Sequence, residues 1–321
     1  MRTRKLGKTD LELTNIGLGT WAIGGPWEFG WGVQDDDDSV ATIITALESG
    51  INWIDTAPIY GCGHSEAIVG RAIKEFGERT FIATKCSLLW NEQRCKVSCL
   101  DADSIIRECE DSLRRLGVEV IDLYQMHWPQ PDEKIEEGFQ AMIQLRDQGK
   151  VRYIGVSNFN VNQLNRISKF ETPASLQPQY SMLGREIETD LLPYCAEHEM
   201  GVVAYSPMHR GLLTGKFTSK KIAELPEDDH RRGVPDFNEP RLSANLRFVE
   251  NLRPIAEDYG ITVAQLALAW VLNRKEITSA IAGARHPGQI KETVQASDID
   301  LSETTIKQIE ELLEERDDLI A

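Results

Sequence analysis

Eight short apolar runs, rich in β-branched residues, recur along the chain. They cover residues 15–20, 51–57, 80–86, 120–127, 152–158, 175–180, 201–207 and 279–285. Each has the length and composition of a buried β-strand. Most intervals between them carry one helical pattern, as Ile105, Cys109, Leu113 and Leu116 do in the third interval. Strand followed by helix, repeated in this way, predicts an α/β fold in which a parallel sheet closes into a (β/α)8 barrel.

The intervals also predict where the helices lie. Helical patterns cover residues 39–49, 65–76, 103–116, 134–148, 161–169 and 187–199. The seventh interval is the longest, with a polar, proline-bearing stretch at 218–240 ahead of helical patterns at 243–258 and 263–273. Long loops after barrel strands commonly carry function, so this interval is expected to contribute to a site.

The two ends of the chain add elements to the predicted barrel. Residues 1–12, with Gly7 in a turn, predict an N-terminal β-hairpin, and residues 302–316 predict a final amphipathic helix. The acidic run Asp35–Asp38 is expected just ahead of a helix that begins at Ser39, where its charge complements the helix dipole. Because no linker rich in Gly, Ser or Pro interrupts the pattern, we expect one barrel domain over residues 1–321.

Charge and cysteine content exclude several classes of protein. A formal net charge of −16 disfavours nucleic acid and anionic membranes as partners. The sequence has neither a leader pattern nor an apolar run approaching the ~18–20 residues of a membrane span, so we expect a cytoplasmic protein. The six cysteines follow no CxxC spacing, which favours reduced thiols, and no complete metal-ligand set accompanies Cys95 and Cys99. Whether the protein is a monomer or a homo-oligomer stays open.

Ionisable residues fall at the carboxyl ends of three successive predicted strands. Asp55, Lys85 and His127 end the second, third and fourth runs, and Tyr60 lies on the loop after the second. Barrel active sites are built at that rim. Each residue alone also has an ordinary structural explanation, namely a turn cap, a solvated ammonium and a hydrogen-bonded core histidine. Their joint position favours catalysis.

The four residues together suit proton delivery to a carbonyl oxygen. Lys85 is expected to lower the pKa of the Tyr60 phenol, and Asp55 to hold the ammonium in place. A neutral His127 is expected to orient the carbonyl group. Hydride, the other half of a reduction, has to come from a cofactor because no side chain supplies it.

Further rim residues are suited to a dinucleotide. Ser157, Asn158 and Gln177 offer groups for a carboxamide, and Tyr205 offers a ring for stacking on a nicotinamide. The loop SPMHRGLLTGKF is flexible and cationic, as a pyrophosphate requires. Arg285 lies just before a helix predicted to begin at Pro287, which is a phosphate-binding arrangement. No GxGxxG opens a βαβ unit, so a Rossmann domain is not predicted.

The motifs that contain these residues resemble those of the aldo-keto reductases. The resemblance runs from LGKTDLELTNIGLGTW through GINWIDTAPIYGCGHSEAIVGRAIK, TFIATK, DSLRRLGVEVIDLYQMHWP, GKVRYIGVSNF, LQPQYSML and VVAYSP to IAGARHPGQI. It implies a barrel that binds NADP(H), or NAD(H), and reduces aldehydes or ketones to alcohols. The tetrad implied is Asp55, Tyr60, Lys85 and His127, with the tyrosine as the acid.

The same resemblance implies which residues surround the cofactor. They are Trp21, Ser157, Asn158, Gln177, Tyr205, Ser206, Pro207, Met208, Arg210, Gly211, Leu212, Lys216, Gly283, Arg285 and Gln289. Gly283-Ala284-Arg285 stands where many members have a Lys-Ser pair, similar to the branch of bacterial general-stress reductases and potassium-channel β-subunits. A preference for NADP over NAD is therefore expected to depend on Arg285.

Three questions remain open at the level of sequence. Trp27, Phe29, Trp31, Trp90 and Trp128 either wall a pocket for small or apolar carbonyl compounds or pack the loops on the barrel. Cys62 is a candidate redox-sensitive thiol if neighbouring cations lower its pKa. A Schiff-base lyase that uses Lys85, or a cofactor-binding regulatory subunit with little turnover, are the alternatives to a reductase.

Overall fold

A closed barrel of eight parallel strands forms the centre of the computed structural model, which describes residues 1–227 and 229–320. In chain order the strands are β1 Thr3–Lys5, β2 Glu12–Thr14, β3 Ile16–Gly19, β4 Trp53–Asp55, β5 Phe81–Cys86, β6 Leu88–Trp90, β7 Lys96–Ser98, β8 Ile121–Met126, β9 Val151–Ser157, β10 Ser175–Gln177, β11 Gly201–Tyr205 and β12 Ile277–Gly283. The barrel runs β3-β4-β5-β8-β9-β10-β11-β12 and closes by pairing β12 with β3. All eight apolar runs supply its strands, so the predicted fold class is confirmed.

Helices cover the outside of this barrel. They are α1 Asp36–Glu48, α2 His64–Phe76, α3 Ala102–Leu116, α4 Ile135–Asp147, α5 Val161–Ile167, α6 Leu191–Glu197, α7 Ser219–Ala223, α8 Arg241–Asp258, α9 Val263–Asn273, α10 Pro287–Thr293 and α11 Glu303–Asp318. Each amphipathic helix turns its apolar stripe inward, which is why the predicted helical periods agree with the observed elements. No single helix in the described ranges has the length and apolar character to cross a membrane, and α8 and α9, bent by 86°, meet those criteria only as a pair.

The predicted N-terminal hairpin is present, and it closes one end of the barrel. Strands β1 and β2 pair antiparallel, and Leu6, Leu11 and Leu13 pack with Trp53 in a buried cluster that fills the barrel interior. Gly7 turns the chain at φ 53°, and a Cβ there would lie 2.7 Å from the Glu199 carbonyl oxygen, so only glycine fits. With this end plugged, the carboxyl ends of the strands form the open end.

One local prediction is corrected, and one element of the structure was not predicted. Helix α1 begins at Asp36 rather than Ser39, because the Asp35 side chain caps it by accepting from the Asp38 backbone N–H at 2.9 Å. The hairpin of β6 and β7 was not predicted. Its turn is shaped by the Asn91 side chain, which accepts from the backbone N–H groups of Gln93 and Cys95. Such a side-chain turn leaves little apolar periodicity in the sequence.

Helix α3 carries a buried carboxyl group that touches the loop after β5. Glu108 accepts from the Ser87 backbone N–H at 2.9 Å and from the Ser104 hydroxyl at 3.1 Å. Burial raises the pKa of Glu108 to about 7, because the two hydrogen bonds do not compensate for the lost hydration of the carboxylate. The folded protein therefore holds a proton on Glu108 at pH values where the unfolded chain has released it.

This shift predicts a pH dependence of stability. A carboxyl pKa that is higher in the folded state makes the free energy of unfolding fall as the pH rises from about 4.5 to about 7. Glu108→Gln removes the titration. We expect its free energy of unfolding, relative to wild type, to improve by up to about 3 kcal/mol between pH 5 and pH 8, measured by urea denaturation.

Glu110→Gln on the same helix is the matched control. Glu110 is exposed and pairs with Lys150, which holds the pKa of Glu110 below its ordinary value, so it does not titrate between pH 5 and pH 8. Parallel pH profiles for Glu108→Gln and wild type would contradict the assignment.

Candidate active site

The four predicted catalytic residues meet at the open end of the barrel. Asp55 ends β4, Lys85 is the fifth residue of β5, His127 follows β8, and Tyr60 lies on the loop after β4. The Lys85 ammonium lies 2.7 Å from an Asp55 carboxylate oxygen and 3.3 Å from the Tyr60 hydroxyl oxygen. Residues distant in sequence are therefore brought within hydrogen-bond distance by parallel pairing of adjacent strands.

Lys85 is fully buried, and each of its three N–H donors has an acceptor. These are the Asp55 carboxylate, the Tyr60 hydroxyl and the Thr56 carbonyl oxygen at 2.9 Å. Burial lowers the pKa of the ammonium below its ordinary value, and the Asp55 carboxylate opposes that change. An ammonium with three acceptors is held in one orientation beside the phenol.

The pKa of Tyr60 moves opposite to the direction expected from sequence. Burial, with the Asp55 charge second, raises the pKa of the Tyr60 phenol well above its ordinary value. The expectation that Lys85 would produce a net lowering is therefore wrong for this structure. The ammonium stabilises a phenolate through its hydrogen bond, but the loss of hydration outweighs it. The phenol keeps its proton near neutral pH.

His127 lies beside the phenol as a neutral imidazole. Its ring meets the Tyr60 ring edge-on, with the ring centres 5.8 Å apart. Burial, followed by the charges of Lys85 and Lys96, lowers the pKa of His127 well below its ordinary value. Its neutral state agrees with the sequence-based expectation. A neutral imidazole has one N–H donor and one acceptor nitrogen.

The residues predicted to bind a carboxamide form one hydrogen-bonded group. The Gln177 amide donates to Asp55 at 2.8 Å, and the Ser157 hydroxyl donates to the Gln177 carbonyl oxygen at 2.8 Å. Asn158 donates to the His127 carbonyl oxygen at 3.0 Å and accepts from the Tyr205 hydroxyl at 2.9 Å. The predicted catalytic and amide-binding residues thus share one network.

These groups open into a cavity of about 350 Å³. Fifteen of the predicted site residues line it, namely Asp55, Tyr60, His127, Trp21, Ser157, Asn158, Gln177, Tyr205, Ser206, Pro207, Met208, Arg210, Gly211, Gly283 and Gln289. Four do not. Lys85 and the Leu212 side chain are fully buried. Lys216 pairs with Glu292 at 2.9 Å on the surface.

Arg285, the fourth, reaches across to the segment after β3. Its guanidinium donates to the Gln34 side chain at 2.8 Å and to the carbonyl oxygens of Val33 at 2.6 Å and Trp31 at 3.3 Å. Its backbone N–H donates to Gln289, a cavity residue, at 2.7 Å. Arg285 therefore lies beside the cavity and fastens the aromatic segment over it.

The predicted pyrophosphate loop has a preformed, left-handed backbone. Ser206, His209, Arg210 and Gly211 all have positive φ, at 54°, 47°, 54° and 95°. The buried His209 ring anchors the loop from below by hydrogen bonds to the Ser181 hydroxyl and the Asp236 carboxylate. Two hydrogen bonds inside the loop hold this path, from the His209 N–H to the Ser206 carbonyl oxygen at 2.8 Å and from the Gly211 N–H to the Met208 carbonyl oxygen at 3.0 Å. Successive residues in the left-handed region form a concave backbone of the kind that binds anions.

Aromatic side chains wall the cavity. Trp27, Phe29, Trp31 and Trp128 line it, and Trp21 stacks on Tyr60 with ring centres 5.7 Å apart. For these residues the pocket-wall interpretation is supported. Trp90 instead packs outside the cavity against a small apolar cluster with Leu88.

Gln125, Lys96 and His230 are among the site residues that the sequence analysis missed. Gln125 donates to Asp55 and has the same strand parity as His127, so the alternation along β8 contained a signal for it. Lys96 lines the cavity from the unpredicted hairpin of β6 and β7. His230 lines it from the polar stretch 218–240, where no periodicity indicates which residue points inward.

The structure does not support a reactive Cys62. Burial raises the pKa of the Cys62 thiol, and the nearby Arg94 guanidinium only partly opposes this. The hypothesis of a lowered Cys62 pKa is therefore not supported, and the thiolate fraction is small. Within residues 1–227 and 229–320, no group of three or more His, Cys, Asp or Glu side chains has the geometry to hold a metal ion.

Comparison with known proteins agrees with this fold. Residues 15–314 match the Aldo/keto reductase family. The chain is 41% identical over 317 residues to aldo-keto reductase YhdN of Bacillus subtilis (strain 168), covering 98% of this chain and 94% of that protein. It is 35% identical over 332 residues to the NADH-specific methylglyoxal reductase of Escherichia coli (strain K12), covering 98% and 100%.

A solved structure supports the same assignment. The glycerol dehydrogenase AKR11B4 from Gluconobacter oxydans superposes with a TM-score of 0.90 at 39% identity, covering 98% of this chain and 95% of that one. The chain therefore belongs to the aldo/keto reductase family and is an oxidoreductase, as its motifs predicted. Enzymes of this family use a nicotinamide cofactor, NADH or NADPH.

The buried ion pair predicts a large stability effect. Lys85→Met leaves the Asp55 carboxylate buried without its cation, which should reduce the free energy of unfolding by about 3–5 kcal/mol. Urea denaturation followed by tryptophan fluorescence measures this. The double variant Asp55→Asn/Lys85→Met should recover most of the loss, since no uncompensated charge remains.

Lys150→Met is the matched control, because the Lys150 ammonium pairs with Glu110 in a partly exposed position and should change stability little. If the single variant Lys85→Met unfolded at the same urea concentration as wild type, the predicted contribution of the Lys85–Asp55 pair to stability would be contradicted.

Proposed function

We propose that this enzyme reduces the carbonyl group of a small aldehyde or ketone to an alcohol, with NADPH as cofactor and Tyr60 as proton donor. The observation that carries the proposal is the position of the Tyr60 hydroxyl, which borders the cavity and lies 3.3 Å from the buried Lys85 ammonium. When bound, the nicotinamide supplies the hydride, which protein side chains cannot.

In this proposal Tyr60 acts as a general acid. Its raised pKa keeps the phenol protonated until negative charge develops on the carbonyl oxygen of the substrate. The O–H bond of Tyr60 then breaks and the proton passes to that oxygen, which forms the alcohol. The Lys85 ammonium stabilises the resulting phenolate, and Asp55 keeps the ammonium charged and in place. A proton from water restores the phenol.

His127 orients the carbonyl group. Its imidazole is neutral and borders the cavity edge-on to Tyr60. An imidazole N–H donates to the carbonyl oxygen and directs it towards the phenol. A neutral imidazole is a weaker acid than the Tyr60 phenol. His127 therefore donates this hydrogen bond without replacing Tyr60 as the proton donor.

The residues that line the cavity and the loop beside it suit the parts of a dinucleotide. We assign the nicotinamide amide to Ser157, Asn158 and Gln177, its ring to Tyr205, and the phosphates to the left-handed loop at 206–211. Glycine at 283 leaves the backbone open to close approach. Gly283 is exposed, and a Cβ there would meet nothing closer than 3.7 Å, so the space beside it is open.

We assign the choice between NADPH and NADH to Arg285. Three of its five N–H donors bind Gln34, Trp31 and Val33, which leaves two donors to bind a 2′-phosphate. Because Trp31, Val33 and Gln34 accept these hydrogen bonds, they also fix the orientation of the Arg285 guanidinium. A relative is named as NADH-specific, so the family alone does not decide this preference.

A Schiff-base lyase, the sequence-level alternative, has no support from the site. Its nucleophile would have to reach the substrate, whereas the Lys85 side chain is fully buried, is bonded to three acceptors and does not line the cavity.

Tyr60→Phe tests the proton donor. We expect the rate of carbonyl reduction to fall by about 10²–10⁴-fold, the usual contribution of a general acid, while NADPH binding measured by fluorescence titration is retained. Tyr153→Phe is the matched control, because the Tyr153 hydroxyl contacts Asp10, away from the cavity. Reduction by Tyr60→Phe within tenfold of wild type would refute the role.

Arg285→Ala tests the cofactor preference. Loss of charge-assisted hydrogen bonds should raise the Kd of NADPH by about 10–100-fold and leave that of NADH within about threefold. Gln34→Ala is the control, because it removes the partner of the guanidinium but keeps the positive charge. Equal losses for both cofactors in Arg285→Ala would show that the arginine does not bind the 2′-phosphate.

A further inference from the structure

Buried polar atoms without a partner are concentrated in the cavity. Eight buried side-chain nitrogen or oxygen atoms of the described residues have no hydrogen-bond partner, and five of these belong to cavity residues. The five are Trp27 Nε1, Trp31 Nε1, His127 Nδ1, His230 Nδ1 and His230 Nε2. A buried polar atom without a partner is costly, so such a concentration marks a place where a ligand supplies polar groups.

His230 is the residue in this set with both polar atoms unpartnered. Its ring lies nearly parallel to Trp31, with an interplanar angle of 5° and ring centres 6.5 Å apart. It also stacks at 5.7 Å on Trp21, whose ring in turn stacks on Tyr60. A chain of stacked rings thus connects His230 to the proposed proton donor through the cavity wall.

The short helical turn at 230–233 is fixed in position. Arg231 pairs with Asp229 at 2.6 Å, and its guanidinium lies over the Trp31 ring at 4.9 Å and over the Phe217 ring at 5.3 Å. The Asp229 carboxylate also caps the turn by accepting from the Arg231 backbone N–H. The imidazole of His230 is therefore presented to the cavity by a supported element.

His230 is neutral at physiological pH. Burial and the nearby Arg210 charge lower the pKa of His230 to about 4. One ring nitrogen then donates and the other accepts, which suits a hydroxyl or a second carbonyl oxygen. The Trp31 indole N–H only donates, so it requires an acceptor oxygen as well. Neither group selects for a purely apolar ligand.

We propose that His230 is a specificity-determining residue that hydrogen-bonds an oxygen of the substrate other than the one being reduced. The favoured substrates are then short hydroxylated carbonyl compounds, whose C–H groups pack on the tryptophan faces. This inference rests on the proposed carbonyl reduction and narrows its substrate class. Of the small or apolar carbonyl compounds expected from the sequence, it favours the small, hydroxylated ones.

The test compares two three-carbon aldehydes, glyceraldehyde with two hydroxyl groups and propanal with none. Wild type should prefer glyceraldehyde in kcat/KM. His230→Phe keeps an aromatic ring for stacking and removes both nitrogens. We expect it to lower kcat/KM for glyceraldehyde about tenfold, mainly through KM, and to leave propanal within about twofold. His230→Gln, which restores a donor and an acceptor, should recover part of the loss.

His198→Phe is the matched control, since His198 also stacks on an aromatic ring, Tyr194 at 4.0 Å, but lies outside the cavity. Glycerol binding, followed by quenching of the cavity tryptophans, gives a readout that needs no turnover, and His230→Phe should weaken it about tenfold. Equal losses on both aldehydes, or unchanged glycerol binding, would overturn the role of His230. Wild type that reduces neither aldehyde would overturn the proposed function, and the glycerol titration would still decide the role of His230.

Discussion

The ion pair of Lys85 and Asp55 is the interaction on which the site depends. An ammonium at zero exposure loses its hydration, and it is retained only because a carboxylate, a carbonyl oxygen and a phenol replace the lost water. The other oxygen of Asp55 accepts from Gln177, so the pair also ties β4 and β5 to β10 across the barrel. The same contacts that satisfy the buried charge determine where the phenol stands.

The barrel makes such an arrangement possible by having one open end. The N-terminal hairpin plugs the opposite end with leucines that pack on Trp53 and other interior side chains. The open end is therefore the one at the carboxyl ends of the strands, and the polar groups there face one cavity. The long interval after β11 then adds the anchored loop at 206–211 and His230 to the same end.

The cavity combines an apolar, aromatic wall with buried polar atoms that have no hydrogen-bond partner among the described residues. The aromatic rings remove water and so raise the pKa of Tyr60 and lower those of His127 and His230. The phenol is thereby kept as an acid and the imidazoles as neutral hydrogen-bonding groups. Burial, rather than the neighbouring cation, decides these protonation states.

The sequence by itself determined the barrel strands, most of the helices, the barrel class and the family, because alternation, helical period and ordered motifs are local properties of the chain. Asp55, Lys85 and His127 were found because the end of a strand can be recognised from the residues around it. Only the tertiary structure decided that Gln177 contacts Asp55, that Trp90 lies outside the cavity, and that His230 lines it. It also reversed the expected pKa shift of Tyr60. These properties depend on strand register, loop packing and burial across the whole barrel, which no local pattern encodes.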